Sequence, residues 1–138
     1  MEDKDLIRYS RHIMLPEIDI EGHISISSSK IAVVGLGGLG CSASVYLAAS
    51  GVGELNLIDN DLIDLSNLQR QILFSEADLN KKKVDTAKIK LTSLNENIKV
   101  NSCNLRLNKS NIRKILEGSE IVLDCTDNFE TRKVINAY

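Results

Sequence analysis

The three cysteines, Cys41, Cys103 and Cys125, are too scattered to form a C-x-x-C pair, so the sequence offers no zinc framework. In a reducing compartment such residues serve as small apolar side chains rather than disulfide partners. Cys41 has the best case for a lowered pKa, because it is placed at the start of a helix. No histidine or second cysteine stands near it in sequence, so it is not read as catalytic. No run of about eighteen apolar residues occurs, and the opening "MEDKDLIRYSRH" is charged, which leaves neither a membrane span nor a signal peptide to read. The expected location is the cytoplasm. A net charge of -2 supplies no basic field, which disfavours nucleic acid as a partner. No internal repeat or proline-rich linker divides the chain, and its one proline is Pro16.

What is present is globular: 138 residues, 43% hydrophobic and 26% charged, enough for one domain with a real core. Residues 4–15 place Leu6, Ile7, Ile13 and Met14 on a rough helical face and stop before Pro16, which predicts a docking helix. "KIAVVGLGG" is a β-branched run closed by glycines, and "LGCSASVYLAASGVG" follows at helical spacing with Gly51 as its stop. "ELNLID" predicts a second strand, residues 82–95 a helix, "NIKVNSC" a third strand, "KSNIRKILEG" a short helix and "EIVLDC" a fourth strand. "FETRKVINAY" then reads as helix. Strands alternating with helices imply an α/β, Rossmann-like parallel sheet with helices on both faces. Ligands of such sheets bind beyond the strand C-terminal ends, here residues 35–40, 59–61 and 126–128.

Gly35, Gly37 and Gly40 form G-x-G-x-x-G between a strand and a helix, with Asp59 nineteen residues beyond Gly40. Glycines there let backbone amides at a helix N-terminus approach phosphate, Gly38 opens the loop further, and Asp59 is placed to accept ribose hydroxyls. The pattern points to a nucleotide without separating NAD from ATP, and the competing reading is that the glycines serve only close helix-strand packing.

The polar run "SNLQRQ" discriminates between them. Hydride transfer has little use for donors at this place, whereas chemistry at a triphosphate needs them on the leaving oxygens, and Asn67, Arg70 and Gln71 can supply them. Lys83 opens the next helix and can turn toward the same pocket, although "KKK" at 81–83 equally reads as a solvated cluster. Asp127, after the fourth strand, suits a Mg²⁺ that bridges phosphates, or else caps the following helix. Asn128 can bond a base or fill the same cap, and Asp124 is similarly ambiguous.

Together "RYSRH", "VVGLGGLGC", "YLAASGVGELNLIDNDLIDLSNLQRQILF", "KKKVDTAKIKLTSLN" and "VLDCTDNFETRKVIN" resemble the MoeB/ThiF/HesA adenylyltransferases, relatives of the ubiquitin-activating enzymes, over nearly the whole chain. With "LPEIDIEG" included, the likeness is strongest to the branch that adenylates the small subunit of molybdopterin synthase for molybdenum cofactor biosynthesis. The thiamine-pathway branch is a near second. The resemblance implies that the C-terminal glycine carboxylate of a ubiquitin-like sulfur carrier attacks the α-phosphate of ATP, giving an acyl-adenylate and pyrophosphate. It implies that Gly38 offers its amide to the nucleotide, Asp59 holds the ribose, and Ser66, Asn67, Leu68, Gln69 and Arg70 line the phosphates with Lys83. Asp127 would handle Mg²⁺ with Asn128 beside it. Arg11 would reach across a homodimer into the partner's ATP site. On this reading residues 1–29 form an N-terminal helical docking segment and residues 30–138 an ATP-binding Rossmann-like domain.

Three departures accompany the likeness. His12 and His23 stand where the family usually has glutamine, and "HISISSSK" alternates isoleucine and serine where relatives usually carry a charged helix. The expected Rossmann-like domain is incomplete, stopping after its fourth βα unit, before the carrier-binding crossover loop and the zinc-binding C-x-x-C pairs. An ATP-binding module without transfer activity and an NAD(P) oxidoreductase are the competing readings.

Overall fold

The computed structural model describes residues 2–138. Its elements in chain order are α1 (Asp3–Arg8), α2 (Ser10–Ile13), α3 (Asp19–Ser28), β1 (Lys30–Val34), α4 (Gly38–Ser50), β2 (Glu54–Ile58), α5 (Lys83–Leu94), β3 (Lys99–Cys103), α6 (Ile112–Leu116), β4 (Ile121–Asp124) and α7 (Phe129–Asn136). Short 3-10 turns at Leu65–Asn67 and Glu76–Asp78 interrupt the long connection between β2 and α5. Every named strand pairing is parallel, in the order β3-β2-β1-β4. β1 is central, with Ile31 opposite both Leu55 and Ile121, and its continuous apolar run is what a strand covered on both faces requires.

The chain winds outward from β1 through β2 to β3, then jumps back across to β4 beside β1. The two halves leave helices on opposite faces. One core joins Val33, Leu55 and Leu57 to Cys41 and Ala48 of α4 and to Val84, Ala87 and Leu91 of α5. The other joins Ala32, Val34 and Ile58 to Leu107, Ile112 and Leu116, with Val134 and Ile135 of α7 packed against it. The reversal between β1 and β4 opens a crevice at their C-terminal ends, which is the ligand position of such sheets. α4 ends where Gly51 turns left-handed at φ 86°, as the sequence predicts.

One expectation for the N-terminal segment needs correction. The predicted helix over 4–15 breaks at Tyr9 into α1 and α2, and within this chain Leu6, Ile7 and Met14 stay exposed. The buried anchor is instead Tyr9, which lies over Gly51, where an added Cβ would come 2.6 Å from the ring. Asn95, fully buried, donates through Nδ2 to the Tyr9 hydroxyl at 2.7 Å and to the Ala48 carbonyl at 2.8 Å. The stretch "HISISS" is helical despite its period of two. Ile20 and Ile24, four apart, share the exposed side, while His23 and Ile26, three apart, face inward. Ser25 and Ser27 hydroxyls donate to the preceding turn's carbonyls at 3.1 and 3.0 Å, so the serines are satisfied inside the helix.

His23 is buried with its ring centroid 4.1 Å from that of Tyr9 and 6.5 Å from that of His12. Burial, and then the positive field of His12, hold its pKa below the ordinary 6.5, with Asp5 pulling partly the other way. The buried Nδ1 atoms of His12 and His23 have no hydrogen-bond partner among the described residues.

Two stability measurements check this anchoring. Asn95→Ala strands the Ala48 carbonyl and the Tyr9 hydroxyl, and a urea titration is expected to show a loss of about 1–3 kcal/mol. For His23 the folded state favours the neutral ring, so stability is full above the unfolded value of 6.5 and declines as pH falls below it toward the lowered folded value. Urea midpoints between pH 7 and pH 5, well above the carboxylate range, are expected to fall for the parent chain and to stay flatter in His23→Gln. Parallel slopes in the two proteins would reject the assignment.

Candidate functional site

A cleft of about 930 Å³ opens at the carboxyl edge of the sheet. Its floor is the loop between β1 and α4. Gly35 takes φ +92°, and a Cβ there would meet the Cys125 carbonyl oxygen at 2.9 Å. At Gly40 a Cβ would lie 1.8 Å from the Gly35 carbonyl oxygen, so these two glycines do serve tight packing. Gly37 differs: a Cβ there meets nothing within 4 Å, so tight packing does not require this glycine at the N-terminus of α4, and Gly38 borders the Arg70 side chain. The two readings of the glycines thus apply to different members of the motif. Asp59 is buried, its Oδ2 accepting from the Leu36 amide at 2.7 Å and its Oδ1 from the Asp61 amide at 2.7 Å. It ties the glycine loop to the end of β2 while still lining the cleft.

Of "SNLQRQ", Asn67, Arg70 and Gln71 line the cleft, whereas Ser66, Leu68 and Gln69 are outside its lining. Arg70 is exposed and its Nη1 donates to the Ser66 carbonyl at 3.2 Å, which leaves most of its donors uncommitted. The Ser66 hydroxyl is occupied by Asp64 at 2.6 Å, and Asp64 together with Asn67 caps the 3-10 turn that aims the run. Gln71 is buried with Oε1 unpartnered. Lys81 and Lys82 are exposed, as a solvated cluster predicts, but Lys83 is buried and lines the cleft, with Nζ 3.3 Å from Asp61 Oδ2.

Past β4, the capping alternatives resolve. Asn128 is the N-cap of α7, its Oδ1 accepting from the Thr131 amide at 2.8 Å. Asp124 holds the turn, accepting from the Thr126 amide at 3.0 Å and hydroxyl at 2.6 Å. Asp127 does neither: its carboxylate lines the cleft, exposed, with no hydrogen bond or ion pair to the described residues. An unpaired carboxylate on a residue that lines the cleft fits a Mg²⁺ shared with substrate oxygens, which needs only one or two protein carboxylates. No group of three or more His, Cys, Asp or Glu among the described residues forms a cage for a metal by itself.

The cleft also contains residues to which the sequence gives no role: Leu105, Arg106 and Leu107 after β3, and Arg132 on α7. Its charged lining is Arg70, Lys83, Arg106 and Arg132 against Asp59, Asp61 and Asp127, a cationic excess in a chain of net charge -2. Arg11 lies exposed on α2 and does not line this cleft. The helix-start argument for Cys41 fails. Burial pushes its thiol up to about 11, and Sγ faces the Leu36 carbonyl at 3.4 Å. Burial also raises Cys103 and Cys125. No helix is long and apolar enough to cross a membrane among the described residues.

Comparison with known proteins agrees with this geometry. The chain is 46% identical over 136 residues to molybdopterin-synthase adenylyltransferase of Haemophilus influenzae, covering 99% of this chain and 56% of that one. It is 44% identical over 137 residues to the sulfur carrier protein ThiS adenylyltransferase of Escherichia coli, covering 99% and 55%. It therefore spans about half the length of these curated relatives. The crystal structure of E. coli MccB with ATP superposes at a TM-score of 0.78 with 37% identity, over 84% of this chain and 35% of that one. The ThiF family matches residues 9–138, and with the glycine loop, "SNLQRQ" and "TDN" gathered at one sheet edge, the chain belongs to the ThiF family.

Proposed function

We propose that this chain binds ATP with Mg²⁺ in the cleft and carries the adenylating chemistry for the C-terminal glycine carboxylate of a ubiquitin-like sulfur carrier, the molybdopterin-synthase small subunit, in the cytoplasm. The observation that supports it most is the convergence of Gly38, Asp59, Asn67, Arg70, Lys83, Asp127 and Asn128 on a cleft whose charged lining is cationic in excess. The carrier carboxylate forms a bond to the α-phosphorus as the bond to the bridging oxygen breaks and pyrophosphate leaves. Negative charge grows on that leaving group, so Arg70 and Lys83 stabilise the transition state by standing beside it, and the rest is positioning. Mg²⁺, when bound, supplies further neutralisation of the phosphate oxygens, and Asp127 is the carboxylate that would hold it. Asp59, with two amides already on its oxygens, is fixed in place to receive the ribose hydroxyls. Ser66, Leu68 and Gln69 belong to this reading as the turn that aims Asn67 and Arg70.

The docking segment, residues 1–29, presents Ile7 and Met14 to solvent beside Arg11 in this chain. We read it as the part of a homodimer interface that carries Arg11 into the partner's site. Two further readings rest on particular observations. The thiamine-pathway carrier is the second candidate substrate, because identity to its adenylyltransferase is 44% against 46%. An ATP-binding module without transfer is the other, because the groups gathered in the cleft are those suited to the nucleotide and none of them is assigned to the carrier.

Carrier-dependent isotope exchange between pyrophosphate and ATP tests the reaction, with each carrier supplied in turn. Exchange with the molybdopterin carrier supports the proposal, exchange only with the thiamine carrier moves the substrate, and ATP binding without exchange leaves the module. Lys83→Met removes one charge-assisted contact worth about 1.5–3 kcal/mol, so calorimetry is expected to show ATP affinity falling by about tenfold or more. Arg11 acting in trans predicts that Arg11→Ala and Asp59→Ala chains, each inactive alone, regain exchange when mixed. A mixture as inactive as its parts removes the shared site.

A further inference from the structure

After β3 the chain must return across the sheet to reach β4, so the connection runs over the carboxyl ends of β2 and β1. Leu107 pins it there, buried against the core of Val34 and Ile58. Beside it the exposed Arg106 lines the cleft and makes no ion pair with the described residues. Its one side-chain hydrogen bond runs from Nη2 to Asn128 Oδ1 at 3.4 Å, on an oxygen already committed to the Thr131 amide at 2.8 Å. The guanidinium therefore rests across the cleft on a weak, exchangeable contact.

The cleft lining holds two chemically different sets of groups. One is the set of donors suited to phosphate: Gly37, Gly38, Asn67, Arg70 and Lys83. The other is the segment Leu105, Arg106 and Leu107, a flat cation between two apolar residues in sequence. If phosphates take the first set and Asp59 holds the ribose, the second is left for the base. Resting on that reading of the site, we propose that Arg106 holds the nucleobase, its guanidinium plane stacked on the purine face with Asn128 setting its orientation. Arg106 would then govern nucleotide affinity through the base and not through the phosphates.

Calorimetry on the full chain with ATP and with inorganic triphosphate, both in Mg²⁺, tests the proposal in the parent protein, Arg106→Leu and Arg106→Lys. The ratio of the two affinities in one sample is the readout, because it does not depend on the folded fraction. Arg106→Leu is expected to weaken ATP about five- to tenfold and to leave triphosphate unchanged. Arg106→Lys, which keeps the charge and loses the plane, is expected to recover only a minor part. Equal weakening of both ligands, unaltered ATP affinity in Arg106→Leu, or full recovery by lysine each overturns the assignment while the ATP reading stands. A parent chain that binds no ATP overturns both.

Discussion

The Gly35 carbonyl oxygen lies where a side chain at residue 40 would have to begin, 1.8 Å from an ideal Cβ, and the whole carboxyl edge of the sheet depends on that contact. It lets α4 start immediately against β1, with Gly37 and Gly38 in the lining of the cleft. Asp59 then locks the same loop from the other side by accepting the Leu36 amide at 2.7 Å. A carboxylate buried with two backbone donors is held in one orientation, so the end of β2 and the glycine loop move as one piece. Preorganisation of this kind is what a phosphate site needs, because donors that must reorient on binding lose much of their value.

Topology supplies the second constraint. Since β4 returns to pair with β1, the loops after β1 and β4 flank one crevice, and the loop after β3 has to cross it. Residues distant in sequence, Gly38, Arg106 and Asp127, become neighbours for that reason, and the connection after β2 brings Arg70 to the same cleft. The two faces share the work: α4 and α5 pack one core that carries the glycine loop and Lys83, and α6 and α7 pack the other beneath Leu107 and Asn128.

These two constraints explain what was readable in advance. The strands and the helices α4 to α7 announce themselves by local signals, β-branched runs, glycine stops and caps, each of which acts within a few residues. The lining role of Asn67, Arg70, Lys83 and Asp127 also follows from placement after a strand or at a helix start. The place of Arg106 depends on a crossover path and that of Arg132 on how α7 folds back over the loop after β4, where it donates to the Thr126 carbonyl, so no motif marks either. The helix over Asp19–Ser28 lies within the segment expected to be helical, and its isoleucine-serine alternation gains a meaning only once His23 and Ile26 have a core to face. Cys41 misled in the opposite direction. Its helix position favours a thiolate, but complete burial outweighs that field.

Lys83 illustrates how such a site keeps a cation ready. Its side chain is 5% exposed while that of its partner Asp61 is 64% exposed, with Nζ and Oδ2 3.3 Å apart. Desolvation falls almost wholly on the lysine, and an exposed carboxylate in high dielectric repays only part of it. The pair is therefore a holding arrangement more than a source of stability. Asp61 holds the ammonium at 3.3 Å beside the cleft. On the proposed ATP reading, a polyphosphate would offer several oxygens and more charge at the same place, so exchange of partners would favour the ligand. The burial that makes Lys83 costly in the empty cleft strengthens its attraction to phosphate in the filled one, because both effects come from the same low dielectric.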